Sequence, residues 1–235
     1  MLEKYALKQV WLFGSYARGE SDLSSDIDIL YVAETDCTDL VISVVSEMKM
    51  PQKRVDLSHY TREGIAGLVT RGSLFAWHLR EEGKPLYEAN SWLGDLFTTM
   101  PKYDNHIEDL KVLMQLVKET GESLDTSKST VIFDAGVLST VIRNTCIILT
   151  NYLGATDYSP YAPQKLACLE PSLKMPISSS EYVHLLKCRH ISERGASVEG
   201  MHIDLFALRE YVRRIDHWQN GCFSFVQGHG VKYAS

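Results

Sequence analysis

Residues 13–30, FGSYARGESDLSSDIDIL, constrain the fold most, because they place two acidic residues inside an apolar, strand-like run. Asp26 and Asp28 alternate with Ile27 and Ile29, and side chains at positions i and i+2 of a strand point to the same face. Both carboxylates are therefore expected on one side of a sheet, with the isoleucines in the core. At roughly 4 Å and an effective dielectric of about 20, the two charges repel by about 4 kcal/mol. A shared proton, a basic partner or a divalent cation must offset this repulsion.

A third acidic residue, Asp56, lies in the alternating segment RVDLSHY at residues 54–60. If this strand lies beside the Asp26–Asp28 strand, Asp56 joins the same face. Oxygen ligands of this kind suit Mg²⁺. Three carboxylates can hold two divalent ions about 3.5–4 Å apart, the arrangement used for in-line nucleotidyl displacement. A solvent-facing strand end also tolerates an Asp-x-Asp pair, so the pair alone leaves both interpretations open; Asp56 favours the metal site.

Gly14 and Ser15 follow the apolar run at residues 9–13 and precede the acidic segment. A glycine lets the backbone approach a phosphate closely, and backbone N–H groups and the serine hydroxyl then donate hydrogen bonds to phosphate oxygens. Arg18 is a natural partner for phosphate charge. Glycine and serine are also common in ordinary strand-to-helix turns, so this turn indicates phosphate binding only in combination with the aspartates that follow.

The two halves of the chain have different patterns. Strands alternate with helices in the first half, which predicts an α/β (α+β) domain with a mixed sheet at residues 1–99. The second half is helical throughout, which predicts an all-α bundle at residues 100–235. We expect strands at 9–13, 27–33, 54–60 and 84–88, and helices at 38–48, 72–82, 102–119, from Thr126 or Ser127 to about Tyr152, 181–193 and 203–218. The tail FSFVQGHGVKYAS has no clear pattern.

Composition limits the partners. The chain has 235 residues, 45% of them hydrophobic, and 24 Lys and Arg against 30 Asp and Glu give a net charge of −6. This acidic balance makes nucleic acid a less favoured partner. The apolar stretch at 131–149 is interrupted by Asp134, Arg143 and Asn144, so we expect no membrane span. The five scattered cysteines favour reduced thiols in a cytoplasmic protein.

The ordered pattern G-S-x-A-R-G, then S-D-I-D-I, then a third acidic residue on a later strand resembles the DNA polymerase β-type nucleotidyltransferase superfamily, closest to its minimal nucleotidyltransferases. The resemblance covers residues 9 to about 60. It implies that Gly14 and Ser15, with Arg18 beside them, bind the phosphates of ATP or another NTP. It implies that Asp26 and Asp28 ligate the metal, two Mg²⁺ ions in all, and that Asp56 is the third ligand or the catalytic base.

The resemblance further implies an enzyme that transfers a nucleoside monophosphate, AMP in the first instance, to a hydroxyl acceptor and releases pyrophosphate. The helical half resembles the HEPN-like or substrate-binding bundles that accompany such domains. Asp134, Arg143 and Lys165 lie where those bundles present polar groups, although mid-helix charges more often have structural partners. No Arg–His pair typical of HEPN ribonucleases occurs in this half, which disfavours a ribonuclease.

Three acceptors remain open at this point: a small molecule such as an aminoglycoside or lincosamide, a protein side chain, and an RNA 3′ end, which fits the acidic balance less well. A non-catalytic, antitoxin-like or regulatory binding protein that keeps the nucleotidyltransferase fold is the alternative to an enzyme. About eight residues precede the first strand, so either the start of the chain is truncated or a neighbouring subunit, as in a homodimer, covers that surface.

Overall fold

The computed structural model describes residues 7–21, 25–48, 53–127, 129–194 and 203–229. The chain divides into two compact units, residues 1–104 and residues 105–235. We call them the α/β unit and the helical unit. The division falls in the connection between the fifth and sixth helices, the same connection that contains the boundary expected from the sequence at residues 99 and 100.

The α/β unit contains a mixed sheet of four strands. They are β1 (Leu7–Phe13), β2 (Ile27–Ala33), β3 (Val55–Tyr60) and β4 (Lys84–Glu88), in the spatial order β3-β2-β1-β4. β1 runs antiparallel to both β2 and β4, whereas β3 runs parallel to β2. The expected fold class, an α/β unit with a mixed sheet followed by a helical unit, is confirmed.

Helices cover both faces of this sheet. They are α1 (Gly14–Arg18), α2 (Thr38–Glu47), α3 (Arg62–Thr70), α4 (Leu74–Glu82) and α5 (Trp92–Thr98). One apolar cluster joins Ile27 and Ile29 to α2, as the alternation of β2 predicts. A second cluster on the opposite face joins Leu30 and Val32 to α3, α4 and α5. Asp28 alternates with the isoleucines and therefore shares the face of Leu30 and Val32, at the end where β2 begins.

The helical unit contains α6 (His106–Thr126), α7 (Val131–Tyr152), α8 (Ala162–Leu169), a 3₁₀ turn (Pro171–Leu173), α9 (Ser179–Arg194) and α10 (Leu205–His229). Thr126 and Ser127 do not cap α7, because Thr126 ends α6 and Thr130 precedes α7. The last helix does not end at Trp218, because Cys222 and Val226 remain buried and α10 continues through much of the tail.

α7 is the central helix of this unit and packs against α6, α8, α9 and α10. By length and composition alone it is apolar enough to cross a membrane, although the sequence suggested that its polar residues made it too polar. Its burial accounts for that composition, because 61% of the apolar stretch is enclosed within the unit. A core helix surrounded by other helices is apolar on all sides for the same reason.

Candidate active site

Asp28 and Asp56 are in register on neighbouring strands. Their Cα atoms are partners in the parallel pairing of β2 with β3. Neighbouring strands lie about 4.8 Å apart, and residues in register point to the same face. Asp28 is half-buried and Asp56 is exposed on the edge strand. The two residues are therefore neighbours on one face at one end of the sheet. This is the strand arrangement that the sequence analysis named as the condition for Asp56 to join the face of Asp26 and Asp28.

Gly14 makes direct backbone contact with Asp28. Its φ is +70°, and a Cβ built on it would lie 2.1 Å from Asp28 Oδ2, closer than atoms approach. Phe13, the residue before it, is the Cα partner of Asp28 in the pairing of β1 with β2. Only glycine combines this backbone conformation with this approach. The turn that leads into α1, including the half-buried Ser15, is thereby held against the first strand carboxylate.

Asp26 immediately precedes β2 and is half-buried. Two basic residues lie near this end of the sheet. Arg54 directly precedes β3, and its backbone carbonyl accepts a hydrogen bond from the N–H of Ile27 at 3.0 Å, which places Arg54 beside Asp26. Lys53 Nζ lies 5.5 Å from the centre of the Tyr16 ring in α1. The structure thus brings the backbone of Arg54 beside Asp26 and the ammonium of Lys53 over a ring of α1.

An aromatic cluster from α4 lies against the strand end that carries the carboxylates. The ring of Phe13 makes edge contacts with Phe75 and His78, with centroids 5.8 Å away in both cases. Tyr60, two strands away on β3, stacks on Phe75 at 5.7 Å, and burial raises the pKa of its hydroxyl. Phe13, the Cα partner of Asp28, is thereby anchored to α4.

Arg18 forms two ion pairs. Its Nε lies 2.7 Å from Glu20 Oε2, and its Nη1 lies 2.8 Å from Glu82 Oε2. Burial by itself lowers the pKa of Arg18, but the hydrogen bonds to these carboxylates outweigh burial and raise it. Glu82 also contacts His78, with Oε2 2.9 Å from Nε2. Arg18, expected to meet phosphate, is instead engaged by carboxylates in this structure.

The three aspartates supply the donor chemistry that Mg²⁺ prefers, carboxylate oxygens on adjacent backbone positions. Asp28 and Asp56 fit that role by register, and Asp26 fits it by its position two residues before Asp28. Among the residues that the structure describes, however, no three His, Cys, Asp or Glu side chains are gathered closely enough to hold a metal ion. The backbone register makes Asp28 and Asp56 neighbours, but Asp56 remains exposed on the edge strand and the three side chains do not converge on one point. Metal ligation by this set stays a prediction.

The three polar residues of the helical unit that the sequence analysis named either bond within this unit or are exposed. Asp134 is buried, and Ser123 Oγ donates to its Oδ2 at 3.2 Å. Arg143 donates to the backbone carbonyl of Tyr158. Lys165 is exposed on α8. Asp134 and Arg143 thus hold neighbouring segments of this unit together.

A cavity of about 360 Å³ in the helical unit lies between α10 and the 3₁₀ turn. Arg213, Arg214, His217 and Trp218 line one side of it. Arg213 pairs with Glu210 at 2.7 Å, and Arg214 donates to the carbonyl of Pro176. Sequence reasoning did not indicate this cavity, because its residues come from segments about 40 positions apart.

Comparisons with known proteins concern both units. Residues 1–91 match the family described as "Polymerase beta, Nucleotidyltransferase". None of the curated proteins compared with the chain matches it. A structure of a toxin–antitoxin protein with AMP-PNP is 21% identical, with 41% of this chain and 75% of that chain covered and a TM-score of 0.28.

Two further structures extend over nearly the whole chain. Spectinomycin adenyltransferase AAD(9) from Enterococcus faecialis, solved with ATP and spectinomycin, is 14% identical, with 93% of each chain covered and a TM-score of 0.48. A nucleotidyltransferase-like protein from Exiguobacterium sibiricum 255-15 is 10% identical, with 99% of this chain and 75% of that chain covered and a TM-score of 0.39. All three TM-scores are below 0.5, so the family match carries the identification.

The family match spans the sheet, the Gly14–Ser15 turn and the three aspartates. It agrees with the geometry at the end of β2, where Gly14 packs on Asp28 and Asp28 is in register with Asp56. Residues 1–91, which are less than half of the chain, therefore match the polymerase β-type nucleotidyltransferase family both in sequence and in the arrangement of this strand end.

Proposed function

We propose that this chain transfers a nucleoside monophosphate, AMP in the first instance, from an NTP to a hydroxyl acceptor and releases pyrophosphate. The observation that supports the proposal is the contact of Gly14 with Asp28, together with the register of Asp28 and Asp56. The turn to which we assign phosphate binding lies against Asp28, and Asp56 is the neighbour of Asp28 in register. Packing alone gives no reason to place like charges side by side.

The chemistry assigned to the residues is an in-line displacement. Backbone N–H groups of the turn and the Ser15 hydroxyl donate hydrogen bonds to the donor phosphates. The acceptor oxygen forms a bond to the α-phosphorus while the bond from that phosphorus to the pyrophosphate oxygen breaks. Asp56, the exposed carboxylate, accepts the proton of the acceptor hydroxyl or completes the metal ligands.

Asp26, Asp28 and Asp56 would hold Mg²⁺ in this site. The bound ions would neutralise triphosphate charge and lower the pKa of the acceptor hydroxyl. The Gly14 backbone lies against Asp28 Oδ2, and this contact would limit the orientations open to the carboxylate before a ligand arrives. Preorganised ligands of this kind lower the cost of assembling a metal site.

The acceptor we propose is either a cationic small molecule of the aminoglycoside or lincosamide type or a side chain of a protein. The net charge of −6 favours a cationic acceptor, because an acidic surface attracts it. A hydroxyl on a partner protein fits the same chemistry without requiring a charged ligand.

The test is incubation of the full chain with each α-labelled NTP, Mg²⁺ and acceptors of both classes, followed by mass spectrometry of the products. A mass increase equal to one nucleoside monophosphate, with release of pyrophosphate, is the expected result. Asp26→Asn with Asp28→Asn removes the reaction, and Asp39→Asn on the exposed surface of α2 is the matched control. Transfer that persists in the double variant excludes this site.

The alternative is a non-catalytic binding protein that acts through a complex. It predicts NTP binding without turnover for every acceptor, and a stable protein complex on size exclusion. The retained Gly14, Ser15 and three aspartates favour the enzyme, because a binding protein has no need of adjacent like charges.

A further inference from the structure

The proposed donor site rests on a helix too short to orient itself. α1 has five residues, and no side chain caps its first turn. Isolated helices shorter than about 12 residues are marginal in water, so neighbouring elements must hold α1 in place. The turn at its start carries Gly14 and Ser15, and the orientation of α1 sets the direction of their N–H and hydroxyl groups.

α4 holds α1 at both ends. Before the helix, Phe13 makes edge contacts with the rings of Phe75 and His78 of α4. At the end of the helix, Arg18 Nη1 lies 2.8 Å from Glu82 Oε2 of α4. These residues are 64 positions apart in the sequence, so the contact is tertiary and not part of the local turn.

Glu82 joins the two ends. Its Oε2 contacts both Arg18 and His78, the latter at 2.9 Å, and His78 in turn contacts Phe13. The side chain of Glu82 is 20% exposed and that of Arg18 is 14% exposed, so water competes little for these contacts. Burial raises the pKa of the Glu82 carboxyl, but its contacts with His78 and Arg18 outweigh burial and lower it. The carboxylate is therefore ionised where it meets the guanidinium.

We propose that Glu82 is a positioning residue, which acts through Arg18 to set the Gly14–Ser15 turn for the donor triphosphate. The inference rests on the proposed function and refines it. It assigns Arg18 to the support of the turn, where the sequence suggested direct contact with phosphate. Because small displacements of a binding group cost large factors in affinity and rate, loss of Glu82 weakens donor binding without removing any phosphate ligand.

The experiment is calorimetric titration of the full chain with Mg²⁺ and an ATP analogue whose α- and β-phosphates are joined by a methylene bridge. Glu82→Gln raises the Kd at least about tenfold. Glu81→Gln is the control, since Glu81 is adjacent on α4, is exposed, and makes no ion pair among the described residues. Melting temperatures are measured in parallel, because a purely structural role lowers the melting temperature and leaves the Kd of the folded protein unchanged.

A double-variant cycle separates positioning from direct contact. If Arg18 acts only through Glu82, then Arg18→Gln, Glu82→Gln and the double variant share one Kd, because each breaks the same link. If Arg18 contacts phosphate, Arg18→Gln weakens binding more than Glu82→Gln does, and the inference is overturned. Should Glu82→Gln not fold, Arg18→Gln carries the test alone, and an unchanged Kd overturns it.

Binding of the ATP analogue by the wild-type chain separates a failure of the proposed function from a failure of the role proposed for Glu82. A wild-type chain that binds no NTP analogue overturns the proposed function and the inference with it. A wild-type chain that binds the analogue, with a Glu82→Gln variant that binds equally well, overturns the inference alone.

Discussion

In the helical unit, two buried polar side chains pair with a side chain on another helix, whereas in the α/β unit two carboxylates are neighbours on adjacent strands. Ser123 donates to Asp134, and Gln219 donates to Thr145 at 3.0 Å. Asp28, by contrast, has Asp56 as its in-register neighbour. Paired groups stabilise packing, while adjacent like charges lower stability. Under the proposed function, the second arrangement serves ligand binding, and the following predictions test that difference.

The largest expected effect comes from Asp28→Asn, which keeps the side-chain shape and removes one of the adjacent charges. Transfer activity should fall about 10³-fold or more, because a carboxylate that meets the metal and phosphate charge is lost. The free energy of unfolding should stay constant or rise by up to about 1 kcal/mol, since a like-charge neighbour is removed. Labelled-NTP assays and urea unfolding measure the two quantities. Parallel losses of activity and stability would mean that Asp28 is a structural residue like Asp134.

Gly14→Ala is expected to have the next largest effect, with Gly19→Ala as its matched control. Both glycines have positive φ, +70° and +76°, so both variants suffer backbone strain of about 1 kcal/mol. Only at Gly14 would the added Cβ meet Asp28, at 2.1 Å; nothing lies within 4 Å at Gly19. We expect Gly14→Ala alone to lower activity, by about 10²-fold. Equal activities for the two variants would show that the contact with Asp28 is not needed.

Asp134→Ala tests the paired polar groups of the helical unit. It removes a buried carboxylate in the first turn of α7 and its hydrogen bond from Ser123, so the free energy of unfolding should fall by about 1–3 kcal/mol. Binding of the NTP analogue should not change. The control is Asp125→Ala, which breaks an exposed pair with Arg209 and should change stability by less than about 1 kcal/mol. An effect of Asp134→Ala on donor affinity would contradict a purely structural role.

The smallest expected effect is a pH dependence at Glu82. Its folded pKa lies below the ordinary value of 4.5, so its contribution to stability is present above the unfolded pKa and is lost as pH falls through the folded pKa. The difference in unfolding free energy between wild type and Glu82→Gln should therefore be largest above about pH 5 and shrink in more acidic solution. Urea unfolding at several pH values measures it. A difference that grows toward acid pH would reverse the assigned direction.

Local pattern predicted some elements well. β2 has the expected bounds, Ile27–Ala33, because β-branched and aromatic residues run between polar flanks. β4 also has its expected bounds. For β2, Asp28 alone interrupts the residues that favour extended structure, and no competing helical spacing occurs. Asp28 in β2 and Asp26 just before it were recognisable for the same reason, since acidic residues interrupt an otherwise apolar run.

Other elements depend on tertiary packing. The helices α3 and α5 were not predicted, since α3 contains Gly64 and Gly67 and α5 has only seven residues. Their helical form is stabilised by burial of Ile65, Val69 and Leu93 against the sheet. α10 extends past Trp218 because its last turns bury Cys222 and Val226. The aromatic residues of this tail do not recur at helical spacing, so the sequence alone did not predict the helix.

By itself, the sequence determined the chemistry available at the site: a glycine that permits a left-handed turn, a serine hydroxyl, and three carboxylates on strand-forming segments. These are local properties, set by backbone conformation and by the two-residue period of a strand. Only the tertiary structure decided that β3 lies parallel to β2 with Asp28 beside Asp56, and that Glu82 meets Arg18 across 64 positions. Strand order and such contacts follow from how the apolar faces of distant segments pack together, which no local pattern records.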